Sequence, residues 1–173
     1  MRDFLGIKPQ DVMIAIKFKI SGKVSQLTVS KDLRISPAEI NHGIKRLKLA
    51  RIMNQDGSIV TDALIEYLVH GLKYNAPGIK GALTVGMPTA HSNPSFNFVR
   101  YDKSDKESVF VWASPNGKVK GVGINPIYKS APEAAKDDPK LYRILSLIDM
   151  IRVGKSREVA VAGRELSKEL NYE

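Results

Sequence analysis

The sequence predicts a mainly α-helical protein with small β-hairpins, an α+β fold. Apolar residues recur at spacings of three and four near both ends of the chain, which is the pattern of amphipathic helices. Short apolar runs flank an Asp-Gly step and an Asn-Gly step, and both steps favour tight hairpin turns. With 173 residues, the chain can bury a core either as one domain or as a small domain with a companion.

The first two predicted helices precede a tight turn. Pro9 suits the first position of a helix, and the apolar residues within 12–20 give that helix a wide core-facing surface. Ser25 suits the N-cap of a short second helix. Ser30 lies on the inner side of the second helix, and its small side chain leaves room for a crossing helix.

The third helix has the strongest start signal. Ser36 suits the N-cap, Pro37 suits the first helical position, and Glu39 stands three residues after the cap. This is the capping-box arrangement, in which two side chains satisfy two unpaired backbone donors. The apolar anchors of this helix recur at helical spacing and predict one buried face: Ile40, Ile44 and Leu47.

A candidate wing and a fourth helix follow. Short apolar runs flank Asn54-Gln55-Asp56-Gly57, where the Asp-Gly step supplies the positive-φ residues of a hairpin. Thr61 is expected to cap a helix that extends to about Tyr74. The four helices and the wing predict a winged helix-turn-helix domain at residues 1–75.

Residues 76–173 are predicted to form a loop-rich C-terminal region with a hairpin and two helices. Gly and Pro residues between 75 and 107 favour extended loop. The apolar runs on either side of Asn116-Gly117 predict the hairpin, in which Trp112 anchors a small satellite core.

The C-terminal helical pair has clear boundaries. Asp138-Pro139 begins one helix and Gly154 ends it, and a last helix follows to Leu170. Two amphipathic helices in sequence form a helical hairpin, which would pack on its own domain or against a second copy of the protein. We expect the C-terminal region as a whole to serve dimerisation or to bind a partner.

Charge is concentrated in the N-terminal part. The chain has 27 Lys and Arg against 18 Asp and Glu, a net charge of +9. Residues 8–51 hold ten basic residues and three acidic ones. Such an excess favours polyanions, because their condensed counterions are released on binding.

A helix-turn-helix needs a small residue in its second helix, a tight turn and apolar anchors on its third. Ser30, residues 33–36 and the anchors of the third helix meet these needs, so the opposite side of that helix faces outward. Asn can pair with adenine, Ala can touch a thymine methyl, and Lys can reach guanine or phosphate. The residues predicted to contact DNA are Ser36, Ala38, Asn41, His42, Lys45, Arg46, Lys48, Arg51 and Asn54.

The run Leu33–Met53 resembles the recognition helix and strand entry of MarR-like winged-helix transcriptional regulators. The resemblance covers residues 8–74 at most, and it implies a dimeric repressor that binds a pseudo-palindromic operator. It carries DNA contact onto these matching positions: Ser36, Asn41, His42, Lys45 and Arg46. Two positions depart from the pattern: Arg34 replaces the turn glycine, and Gly43 stands inside the helix at a cost of about 1 kcal/mol relative to Ala.

The leading hypothesis is therefore a sequence-specific DNA-binding transcriptional regulator, a homodimeric repressor. The alternative is an antitoxin or adaptor whose C-terminal region binds a protein partner, with DNA binding autoregulatory or absent. A plain helical bundle with a basic middle helix would show the same periodicity. Winged helices also serve as protein-binding modules.

The residues offer no support for an enzyme, a cofactor or a metal site. No serine lies in a nucleophile elbow, and no pair of acids stands in an apolar setting. His42, His70 and His91 are scattered, and Cys is absent. Residues 78–86 are glycine-rich without the spacing of a phosphate-binding loop. No signal peptide or membrane-spanning run is recognisable, so we expect a cytoplasmic, nucleoid-associated protein without membrane contact.

Overall fold

The computed structural model describes residues 6–171 and confirms the mainly helical α+β class. The long helices are α1 (Pro9–Ser21), α2 (Gln26–Leu33), α3 (Pro37–Leu49), α7 (Pro139–Val153) and α8 (Ser156–Asn171). The short ones are α4 (Thr61–Glu66), α5 (Leu72–Asn75) and α6 (Ala131–Asp137). The strands are β1 (Lys80–Pro88), β2 (Phe110–Ala113) and β3 (Val119–Ile124). None of the described helices is long and apolar enough to cross a membrane.

Several predicted helix starts are confirmed by their caps. Pro9 begins α1, and Ser25 accepts a hydrogen bond from the amide of Thr28 at 3.0 Å. Asp138 accepts one from the amide of Leu141 at the same distance and begins α7. The prediction for Thr61 is wrong, because Val60 is the N-cap and no side chain caps α4. The fourth helix is also interrupted by a π-helical turn at Tyr67–Gly71, which links α4 to α5.

The segment predicted as a wing, residues 52–60, is a minimal hairpin. A single antiparallel bridge joins Met53 to Ile59, and the amide of Val60 donates to the carbonyl of Ile52 at 2.9 Å. Gly57 adopts a φ of +89° in the turn, a conformation that glycine enters without a steric cost.

The sheet differs from the prediction in two ways. Part of the expected loop at residues 75–107 is strand β1, which pairs antiparallel with both β2 and β3. β2 and β3 are therefore parallel to each other rather than a hairpin. The connection between them crosses β1 closely, since a Cβ on Gly117 would lie 2.3 Å from the Cα of Gly86. The Asn116-Gly117 step is therefore part of a close crossing of two chain segments. In the sequence, such a step looks the same whether it forms a hairpin turn or a close crossing.

One hydrophobic core joins the two predicted parts of the chain. The same buried cluster includes Leu33 of α2, Leu68 of the π-helical turn, and Leu145 and Leu166 of α7 and α8. Trp112 is buried in this cluster rather than in a satellite core. Its indole Nε1 donates to a carboxylate oxygen of the buried Asp149 at 2.7 Å.

Charged contacts also join the N-terminal helices to the C-terminal region. Lys17 Nζ lies 2.9 Å from an oxygen of Asp32 and 2.8 Å from an oxygen of Asp138, so α1, α2 and α7 meet at one ammonium group. Burial lowers the pKa of Lys17, but the hydrogen bonds and charges of the two carboxylates outweigh it, and the pKa is raised overall.

Candidate nucleic-acid interface

The turn between α2 and α3 has the expected tight geometry. Arg34 ends α2 in the left-handed region with a φ of 55°. The amide of Ile35 donates to the carbonyl of Ser30 at 3.1 Å, and the Ser30 hydroxyl donates to the carbonyl of Ile35 at 2.5 Å. The small residue predicted in α2 therefore closes the turn through its own side chain, and an arginine takes the conformation that a glycine would adopt more easily.

Only half of the predicted capping box forms at the start of α3. Ser36 Oγ accepts a hydrogen bond from the amide of Glu39 at 3.3 Å. The Glu39 carboxylate does not return to the cap, because it accepts hydrogen bonds from Arg46 at 2.6 Å and from Gln10 at 3.0 Å.

The outer side of α3 carries four of the nine predicted DNA-contact residues. Ile40, Ile44 and Leu47 are buried as anchors. The exposed predicted residues on the opposite side are Ala38, Asn41, His42 and Lys45. The only ionic neighbour of this group within residues 6–171 is Glu39, whose carboxylate lies 3.9 Å from His42 Nδ1.

Contrary to the sequence-based prediction, Arg46 faces the protein interior. Its guanidinium donates two hydrogen bonds to the Asp11 carboxylate, at 2.7 and 2.8 Å, and one to Glu39. The Arg46 side chain is 14% exposed and that of Asp11 is 0% exposed. Its Nε and Nη2 donate to these carboxylates, so Arg46 positions α3 on α1.

The ion pair also affects the neighbouring acid. Burial alone would raise the pKa of Glu39, but the hydrogen bonds from Arg46 and Gln10 outweigh it and hold that pKa below its usual value. Sequence reasoning missed this network. The available signal was Asp11, a charged residue adjoining the apolar residues of α1, together with Arg46 two helical turns after Glu39.

Gly43 has a packing role that explains its place inside α3. A Cβ at this position would lie 2.5 Å from Ile14 Cδ1 and 2.8 Å from Asp11 Oδ1. The missing side chain lets α3 approach α1 closely, and this approach brings Asp11 within reach of Arg46. The close packing of α3 on α1 therefore explains why position 43, which departs from the MarR-like pattern, is a glycine.

The remaining predicted contacts lie at the end of α3 and in the hairpin that follows it. Lys48 Nζ donates to the carbonyl of Gln55 at 2.9 Å and so links α3 to the hairpin at residues 52–60. Asn54 is exposed, and its amide nitrogen Nδ2 donates to Ser58 Oγ at 2.9 Å across the turn. Arg51 is exposed and has a φ of 60°.

The surface so formed is cationic and accessible. The ion pairs of α3 within residues 6–171 go through Arg46 and His42, whereas Lys45 and Lys48 form none there. Exposed polar and cationic side chains therefore lie together on one side of α3, and Lys48 holds the hairpin at residues 52–60 beside them.

Comparison of the chain with family models, with curated proteins and with solved structures gives no match.

Proposed function

We propose that this protein is a sequence-specific DNA-binding transcriptional regulator that places the outer side of α3 in the major groove. The observation that carries the proposal is the exposed group of Asn41, His42 and Lys45 on a helix whose opposite side is anchored in the core. An α-helix fits the major groove, where each base pair presents a distinct pattern of donors and acceptors.

Each exposed side chain has a role that fits its chemistry. Asn41 would read adenine through two hydrogen bonds, and Lys45 would reach guanine acceptors or phosphate. His42 would donate to a base edge or a phosphate. Lys48, Arg51 and the wing residue Asn54 would contact the backbone beside the groove and so fix the position of the helix.

The protein would act as a homodimeric repressor on two half-sites about one helical turn apart. Two bound copies of the protein would read a longer DNA sequence and contact more phosphates than one copy. A protein partner of the C-terminal region is the second candidate function, and the exposed apolar side chains of Ile79, Leu83 and Val85 in that region favour it.

The test begins with a selection of genomic duplexes by the purified full chain, which supplies the site. Affinity for that site is then measured against salt concentration for Lys45→Ala and for Lys155→Ala, a matched loss of an exposed lysine before α8. Loss of one phosphate contact makes the logarithmic salt slope shallower by about 0.9, so Lys45→Ala should bind more weakly with a shallower slope. Lys155→Ala should match the unmodified chain. Equal affinities and slopes for both variants would refute the role of α3.

A further inference from the structure

Leu49 is a large apolar residue on the outer side of α3. It is 69% exposed, whereas the other large apolar residues of the helix, Ile40, Ile44 and Leu47, are buried. Successive residues of an α-helix are turned by about 100°, and this turn places Leu49 directly opposite the three anchors. The periodicity that buries the anchors therefore directs Leu49 away from the core.

Leu49 belongs to the surface that carries the residues proposed to read bases. It follows Lys45 by four residues and His42 by seven, and residues at these spacings share one face of a helix. The rise from Lys45 to Leu49 is about 6 Å, roughly one helical turn. Because side chains of a helix lean toward its N-terminus, Leu49 covers the surface beside Lys45 rather than the space beyond the helix end. A groove that receives Lys45 therefore also receives Leu49.

The surroundings of Leu49 are cationic. Lys45 and Arg51 are exposed before and after it, and neither forms an ion pair in the described part of the chain. No Asp or Glu occurs from residue 40 to 55. This charge favours a polyanion, and the exposed leucine favours one that presents an apolar group at an accessible edge.

Duplex DNA presents such a group in the major groove. Thymine carries a methyl group there, at C5, and an apolar side chain is a suitable partner for it. We propose that Leu49 contacts the C5-methyl group of a thymine and so selects that base pair. The inference rests on the proposed binding of α3 in the major groove. It adds an apolar contact to the polar contacts of Asn41 and Lys45.

The same contact distinguishes DNA from RNA. Uracil lacks the C5-methyl group, and the major groove of an RNA duplex is too deep and narrow for side chains to read. Leu49 therefore strengthens the binding of a DNA duplex and contributes nothing to the binding of an RNA duplex of the same sequence.

The test uses the duplex obtained by selection with the full chain. Each thymine of the site is replaced singly by deoxyuridine, which removes the C5-methyl group and keeps the hydrogen-bonding groups of the base. Affinities are measured by competition at fixed salt. We expect at least one replacement to weaken binding of the unmodified chain about fourfold, which corresponds to about 0.8 kcal/mol for one buried carbon group.

Two variants assign this loss to its side chain. In Leu49→Ala, the same replacement should weaken binding by less than about twofold, because the contact is already missing and the two changes are not additive. Leu83→Ala shortens an exposed leucine of β1 and should keep the full loss of about fourfold. Circular dichroism checks that each variant is folded, and Leu49→Gln takes the place of Leu49→Ala if that variant is not.

Three outcomes would overturn the proposal. The first is a selected site at which every deoxyuridine replacement weakens Leu49→Ala as much as it weakens the unmodified chain. The second is self-association of the chain that Leu49→Ala abolishes while duplex binding is unchanged, which would assign Leu49 to a second copy. The third is the absence of any selected duplex, with which the role of α3 also fails. The first two leave sequence-specific binding of duplex DNA intact, so failure of the methyl contact is distinct from failure of the proposed function.

Discussion

The inner and outer sides of α3 use adjacent basic residues differently. On the inner side, Arg46 lies 2.7 Å from Asp11 and 2.6 Å from Glu39. On the outer side, Lys45 is exposed and has no ion pair with a described residue. One step along a helix turns the side chain by about 100°, and this turn separates a residue that holds the fold from one that can meet a partner. Counting basic residues therefore overstates the charge that a partner can use.

The largest expected effect lies on the inner side. Asp11→Ala leaves Arg46 beside a cavity with only Glu39 as a partner, and breaking a buried ion pair costs about 3 kcal/mol. We expect the free energy of unfolding, measured with urea, to fall by about that amount. Lys45→Ala is the matched change on the outer side and should alter stability by less than about 0.5 kcal/mol.

A stability loss that is equally small in both variants would break the comparison, because it would show that Asp11 does not hold Arg46 in solution. The inner guanidinium would then be free to turn outward, as the sequence alone suggested.

The next effect concerns base reading on the outer side. Asn41→Ala removes two hydrogen bonds to a base edge, which are worth about 1–3 kcal/mol of discrimination. We expect weaker binding to the selected duplex and little change on a random duplex, measured by competition at fixed salt. Equal losses on both duplexes would contradict a base-reading role and would leave Asn41 as a backbone contact.

Much of the helical part follows from local signals in the sequence. Pro9, Ser25 and Asp138 mark helix starts through groups that act within four residues, and these starts are confirmed. The strand pairing could not be predicted in the same way. The Asn116-Gly117 step is a local turn signal, but the close crossing of Gly117 over Gly86 depends on a residue about thirty positions earlier.

The candidate interface shows the same limit. The period of Ile40, Ile44 and Leu47 predicts which side of α3 is buried, and the structure confirms it. The spacing does not reveal that Arg46 lies at the border between the two sides. At that border, the direction of a side chain depends on the residues that α1 presents. The position of Asp11 on α1 determines which way the Arg46 side chain turns. Asp11 precedes Arg46 by 35 residues in the sequence, so no local pattern could predict this contact.

The smallest expected effect is a pH dependence carried by the acid at the border of α3. The pKa of Glu39 is lowered from 4.5 in the folded protein, so between the two values the unfolded chain binds more protons than the folded one. The ionised Glu39 carboxylate therefore stabilises the folded protein fully above about pH 4.5. This stabilisation is lost as the pH falls through the lower pKa of the folded protein. Urea unfolding from pH 6 to pH 3 should show this decline, and Glu39→Gln should flatten part of it. Asp138 should supply a remaining part, because its pKa is also lowered, with the hydrogen bond to Lys17 outweighing burial. An unchanged decline in Glu39→Gln would mean that the Glu39 carboxylate gains nothing from Arg46, and the inner side would then depend on Asp11 alone.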